Sequence, residues 1–244
     1  HKSKRINILG MKIAAFQMLG SMITPHLSAD WEAGRRDRVS AQLRLFLKLL
    51  AFALSATAVA VLFAAPLLFE VALRGKFSAG LAVLPWTLCY SIWFGLAMVA
   101  QNYLWCAEKA RLSSLALLAG LIANVMLNLL LLPRLGLLGA VLATTAANVV
   151  VLALILNFNC RLGFRMDRGL WVVLGLPPAV CLGPWIALLV LATVALEAIT
   201  SDRLLSPDEK RQLTEGCEQF VYIRRVLRRV ASGSSAHHIA MRKE

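Results

Sequence analysis

Residues 112–159 read LSSLALLAGLIANVMLNLLLLPRLGLLGAVLATTAANVVVLALILNFN, and the fold turns on them. Two apolar runs, 112–132 and 136–159, are separated only by Pro133, Arg134 and Leu135. A helix needs about 20 apolar residues to cross a hydrocarbon core of about 30 Å. Both runs meet that length, and neither shows the short alternating pattern of barrel strands. Backbone N–H and C=O groups in lipid must be satisfied within the segment, which a helix does. The stretch therefore predicts two antiparallel transmembrane helices joined by a tight turn.

The rest of the chain agrees. Of 244 residues, 59% are hydrophobic and 16% charged, against about 45–50% and about 25% in a soluble protein. Mean hydropathy is +0.70. Such a chain has too little polar surface for a soluble globule and too much apolar surface for a disordered one. Further apolar runs cover residues 6–24, 45–69, 80–104 and 170–199. The expected fold is all-α: a polytopic transmembrane bundle of about six hydrophobic segments over residues 1–199. Residues 6–24 form the weakest span, since Lys12 and Gln17 interrupt it. The chain opens on His1 and reads as a piece of a larger protein. Its five cysteines are widely and irregularly spaced, as small apolar fillers are.

Net charge is +13. In so apolar a chain, basic excess points to cytoplasmic loops and anionic lipid head groups, not to nucleic acid. Alternating the loops across a bilayer places Arg35, Arg36, Arg38, Arg44, Lys109, Arg111, Arg161, Arg165 and Arg168 on one side. Arg74, Lys76 and Arg134 fall on the other. The positive-inside rule assigns loops 30–44, 108–111 and 161–168 to the cytoplasm and loop 74–76 to the exterior. The expected location is a cytoplasmic (inner) membrane, crossed several times.

The last run, 170–199, contains Pro177, Pro178, Gly183 and Pro184. It reads either as one span or as a hairpin bent at 177–184, and the two put the tail on opposite sides. Ser206-Pro207-Asp208-Glu209 is a helix start, with proline in the first turn and acids on the helix dipole. Residues 200–231 then form an amphipathic basic helix. Leu213, Cys217, Phe220, Ile223, Leu227 and Val230 share one face, flanked by Arg224, Arg225, Arg228 and Arg229. Such a helix suits an anionic leaflet. Residues 232–244 read as a disordered tail.

Polar groups within spans are the candidate functional residues, because burying each costs free energy. Gly120, Asn124 and Asn128 share a helix face at four-residue spacing. Gly139, Ala143 and Ala147 repeat the spacing on the next helix, with Gly136, Ala140, Thr144 and Asn148 as a second stripe. These stripes either pack two helices closely or line a substrate path. Gln101 and Asn102 lie near the cytoplasmic end of the third span. Lys12 is the one clear charge inside a span and should face water or an anion, unless it snorkels. Arg44 and Lys48, four residues apart, either meet an anionic head group or anchor their helix. No catalytic residue, metal ligand set or cofactor motif is visible, and no carboxylate lies well inside a span.

Ala123-Asn124-Val125-Met126-Leu127-Asn128, followed by Leu131-Leu132-Pro133-Arg134-Leu135-Gly136-Leu137-Leu138-Gly139-Ala140, resembles a recurrent stretch of polysaccharide-biosynthesis flippases. These belong to the multidrug/oligosaccharidyl-lipid/polysaccharide exporter superfamily. Pro25-His26-Leu27-Ser28 with Gly34-Arg35-Arg36-Asp37, Leu73-Arg74-Gly75-Lys76-Phe77 and Ala107-Glu108-Lys109-Ala110-Arg111 resemble that family's connecting loops. The resemblance covers about residues 5–165. It implies the C-terminal lobe of a two-lobe transporter whose N-terminal lobe is missing from this sequence. The implied activity is alternating-access movement of isoprenoid-pyrophosphate-linked saccharides across the membrane. Lys12, Arg44, Lys48, Gln101, Asn102, Asn124 and Asn128 are then candidate substrate contacts. A cation in a low-dielectric cavity attracts a pyrophosphate far more strongly than one in water. The alternatives are a drug or cation antiporter of the same superfamily, which would need a buried carboxylate, and an unrelated membrane scaffold or membrane-bound transferase, the last needing interfacial acids beyond Asp30 and Glu32.

Overall fold

The computed structural model describes residues 27–71, 78–201, 204–207 and 209–211. Lys12, span 6–24, loop 74–76, most of the basic helix 200–231 and the tail 232–244 lie outside the described residues. Among those described the chain is helical, with no strand. After a short helical segment at 27–32 come α1 (Arg36–Val71), α2 (Ser78–Ala100), α3 (Asn102–Cys106), α4 (Ala110–Leu135) and α5 (Leu137–Arg161). Three shorter helices follow: α6 (Arg168–Leu174), α7 (Pro177–Val180) and α8 (Pro184–Thr200).

Four stretches are long and apolar enough to cross a membrane: Arg36–Leu67, Gly80–Cys106, Ala110–Leu135 and Leu137–Arg161. Each overlaps one expected span and leaves out at most two residues at that span's ends. Helix α1 begins nine residues before residue 45 because Arg36–Arg44 continues the helix beyond the apolar run, with Asp37 in its first turn complementing the dipole.

The expectation of about six spans is not matched one for one. The run 170–199 breaks into α6, α7 and α8, of which α8 is the longest at 17 residues. Pro177 starts α7, Pro184 starts α8, and Gly183 at φ +108° makes the bend between them. The run is a hairpin. Asp167 before it and Leu204 after it both bond to Lys48. At the bend, Trp185 meets Phe63 edge-on at 5.0 Å, about 22 Å further along α1 than Lys48. A 17-residue helix rises about 25 Å, close to the full hydrocarbon depth.

Helices α4 and α5 form the hairpin expected from residues 112–159. Gly136 turns it at φ +57°, a conformation only glycine adopts at no cost. Two glycines set the close approach. A Cβ on Gly120 would lie 2.1 Å from Val151 Cγ2, and one on Gly139 would lie 2.3 Å from the Leu131 carbonyl oxygen. In lipid, helix association rests on such close backbone contact, since no hydrophobic force drives it. The outer face of α4, including Leu121, Met126 and Leu129, is exposed. Only 11% of its most apolar stretch is buried in the bundle. The core lies elsewhere. Val39, Leu43, Leu47 and Ala51 of α1 repeat every four residues against Leu96 of α2, Ile155 of α5 and Leu170 of α6.

Candidate functional site: a buried charge cluster at the loop end

Loops 30–44 and 161–168, two of those expected on one side, meet around α3 at one end of the bundle. Trp31 packs edge-on to Tyr103 at 5.2 Å, and Tyr103 to Phe164 at 5.5 Å. The Arg36 guanidinium stands 5.1 Å from the Trp31 ring. The Arg165 N–H donates to Ser40 Oγ at 3.0 Å, which ties loop 161–168 to the first turns of α1.

Beneath these loops sits the main electrostatic feature. Lys48 lies one turn beyond Arg44 on α1, so both project from one face. Lys48 is 1% exposed. Its ammonium donates to Asp167 Oδ2 at 2.6 Å, the Leu204 carbonyl at 2.7 Å and Glu209 Oε2 at 2.9 Å. An ammonium has three donors, and these three acceptors match them. Arg44 Nε donates to Glu209 Oε1 at 3.0 Å, and Nη1 to the Arg165 carbonyl at 3.2 Å. Arg44 Nε also lies 3.6 Å from Asp167 Oδ2. Two cations thus face two carboxylates, and the cluster sums to zero charge.

Local sequence places both acids. Asp167 caps α6, its Oδ1 accepting from the Leu170 N–H at 2.9 Å while Oδ2 turns to Lys48. Ser206 and Glu209 form a capping box: the Ser206 N–H donates to Glu209 Oε2 at 2.9 Å, and the Glu209 N–H to Ser206 Oγ at 3.3 Å. The box orients the Glu209 carboxylate toward α1. Burial pushes that carboxyl's pKa up, but hydrogen bonds from Lys48, the Ser206 N–H and Arg44 outweigh it and hold the group below its ordinary value. Gly169 admits the returning chain, since a Cβ there would lie 2.3 Å from the Leu204 carbonyl oxygen.

The other candidates fall in two separate places. Gln101 and Asn102 mark the break between α2 and α3 and are buried. Gln101 Oε1 accepts from Ser113 Oγ at 2.8 Å, and Asn102 Nδ2 donates to the Val99 carbonyl at 3.0 Å. Nearby, Asn159 Nδ2 donates to the Ala100 carbonyl at 2.8 Å, bracing α5 against the same break. Asn124 and Asn128 are half-buried on α4. Asn128 Nδ2 donates to the Asn124 carbonyl at 3.0 Å and also to Asn124 Oδ1. On α5, Asn148 Nδ2 donates to the Thr144 carbonyl at 2.9 Å. The structure therefore gathers Arg44 and Lys48 on Glu209 and joins Asn124 to Asn128, while Gln101 and Asn102, neighbours in the chain, bond to different partners.

Sequence reading assigned Asp167 no role and Glu209 only a place at a helix start. Each carried a local signal, a helix cap and a capping box, but the partner of each lies 119 or more residues away. Among the described residues no group of three His, Cys, Asp or Glu side chains is placed to hold a metal ion. No family model, curated protein or solved structure matches this chain.

Proposed function

We propose that this chain is part of a membrane transporter that flips isoprenoid-pyrophosphate-linked saccharides across a cytoplasmic membrane for polysaccharide biosynthesis. The observation that supports this most is the α4–α5 hairpin. The stretch resembling the flippase family folds as two full-length apolar helices around Gly136. In their middle it holds Asn124, Asn128, Thr144 and Asn148, all half-buried. Amides at that depth are costly unless they serve a neighbour or a polar substrate. The exposed face of α4 is the surface a second lobe or lipid would cover.

In this reading Asn124 and Asn128 contact sugar hydroxyls and Lys12 contacts the pyrophosphate. Arg44 and Lys48 hold the C-terminal segment instead, because their charges are already matched by Asp167 and Glu209. The test is saccharide export in a strain lacking the full-length gene, complemented with variants and normalised to membrane level. Lys12→Ala and the pair Asn124→Ala/Asn128→Ala should each lower export at normal expression, with Lys12→Arg keeping part of the activity. Full export by both would contradict the proposal.

A further inference from the structure

A lateral groove of about 400 Å³ opens between α2, α5 and α6. Trp93, Leu152, Leu156, Trp171 and Leu174 line it, and Asn157 and Cys160 lie toward its loop end. It has a fixed wall, because Trp93 Nε1 donates to the Leu174 carbonyl at 3.3 Å. Along α5 the lining runs from Val149 to Cys160, a rise of about 17 Å. The loop end is basic. Arg161 lies one turn beyond Asn157 on α5, and Arg168 three residues before Trp171 on α6, so each shares a face with a lining residue. Both are exposed, and among the described residues neither takes part in an ion pair. The nearby Arg165 approaches Asp37 at 3.8 Å, and Asp167 is engaged by Lys48.

We infer that this groove binds one acyl chain of an anionic glycerophospholipid, with the phosphate held by Arg161 and Arg168. Charge and size select this occupant. Two cations without carboxylate partners among the described residues favour an anionic head group over a zwitterionic one. A helix about 10–12 Å across would fill the volume within about 5 Å of its length, so the space suits a chain and not a helix. The chain's own basic segment, with Arg224, Arg225, Arg228 and Arg229, carries the same sign as the mouth. Trp171, in the first turn of α6 at the basic end, is the residue type a membrane interface favours. This inference is independent of the transport reading.

The experiment is native mass spectrometry of the purified full chain with phosphatidylglycerol or phosphatidylcholine added to the detergent. The expected result is about tenfold tighter retention of phosphatidylglycerol. Arg161→Gln/Arg168→Gln should abolish that preference, weakening phosphatidylglycerol far more than phosphatidylcholine, whose choline already offsets its phosphate charge. Ala153→Trp, which fills the groove from an exposed lining position, should weaken both lipids. Lys109→Gln/Arg111→Gln removes the same charge from the same end, away from the groove, and should change neither. Equal retention of the two lipids by the unmodified chain would overturn the inference. So would an equal loss in the Lys109/Arg111 variant, which would mean diffuse attraction to a basic end.

Discussion

Glu209→Gln probes the charge cluster with almost no change of shape. Glu209 is 2% exposed, and its carboxylate accepts from Lys48 at 2.9 Å, Arg44 at 3.0 Å and the Ser206 N–H at 2.9 Å. An amide keeps one acceptor but turns an NH2 toward a cation or toward the Ser206 N–H. Breaking a buried pair outright costs about 3–5 kcal/mol. Here the loss is smaller, because Lys48 keeps Asp167 at 2.6 Å and the Leu204 carbonyl at 2.7 Å. A lost charge-assisted hydrogen bond gives about 2–3 kcal/mol. If residues 204–211 open as a local unit, that energy raises the open population about 30- to 150-fold. Hydrogen exchange followed by mass spectrometry in a membrane mimic reads this directly. Peptides covering 204–211 should exchange faster by that factor, while α4 and α5 keep their rates. Glu108→Gln, at an exposed turn carboxylate, should change nothing. Unaltered exchange at 204–211 in Glu209→Gln would show that the cluster does not hold the segment.

The same carboxylate gives a pH dependence. Its folded pKa lies below the ordinary 4.5, so the docked state favours the ionised form. The contribution to docking is complete above about that pH and is lost as pH falls through the lower folded value; the protection factor at 204–211, with exchange corrected for the intrinsic amide rate at each pH, should therefore fall on acidification and do so less in Glu209→Gln. Gly120→Leu must displace Val151, whose Cγ2 would lie 2.1 Å from the new Cβ; overpacking costs about 1–3 kcal/mol, and thermal stability in detergent should fall. Gly139→Leu should act likewise, whereas Val150→Leu, at an exposed position, should leave stability and membrane yield unchanged. Lys48→Met strands Glu209 and Asp167 against Arg44 alone and should destabilise the chain, while the triple change Lys48→Met/Glu209→Met/Asp167→Asn should recover part of the loss, read by the same thermal assay.

The apolar helices were legible because lipid imposes one strong rule, an unbroken apolar run of sufficient length. That rule located the interiors of α1, α2, α4 and α5 but not where α1 begins, since Arg36–Arg44 is helical without being apolar. Prolines and Gly183 in 170–199 left two topologies open. The hairpin is settled by Lys48 joining Asp167 to Leu204, a meeting of distant residues that no local pattern encodes. The small-residue spacing left close packing and a substrate path both open, and the atoms meeting Gly120 and Gly139 show close packing at those two positions. Arg44 and Lys48 were visible as a pair, whereas their partners were not. A loop counted for its arginines hides Asp167, and a helix start read for its dipole hides the outward reach of Glu209.

Cysteine accessibility in intact cells tests the central architectural claim most directly. In the full-length protein without native cysteines, Arg36→Cys, Arg111→Cys and Arg211→Cys are treated singly with an impermeant thiol reagent, beside Lys76→Cys. The account predicts that the first three stay unlabelled until the membrane is opened, and that Lys76→Cys is labelled in intact cells. Labelling that separates Arg211→Cys from Arg36→Cys would contradict the hairpin and the charge cluster that joins its ends.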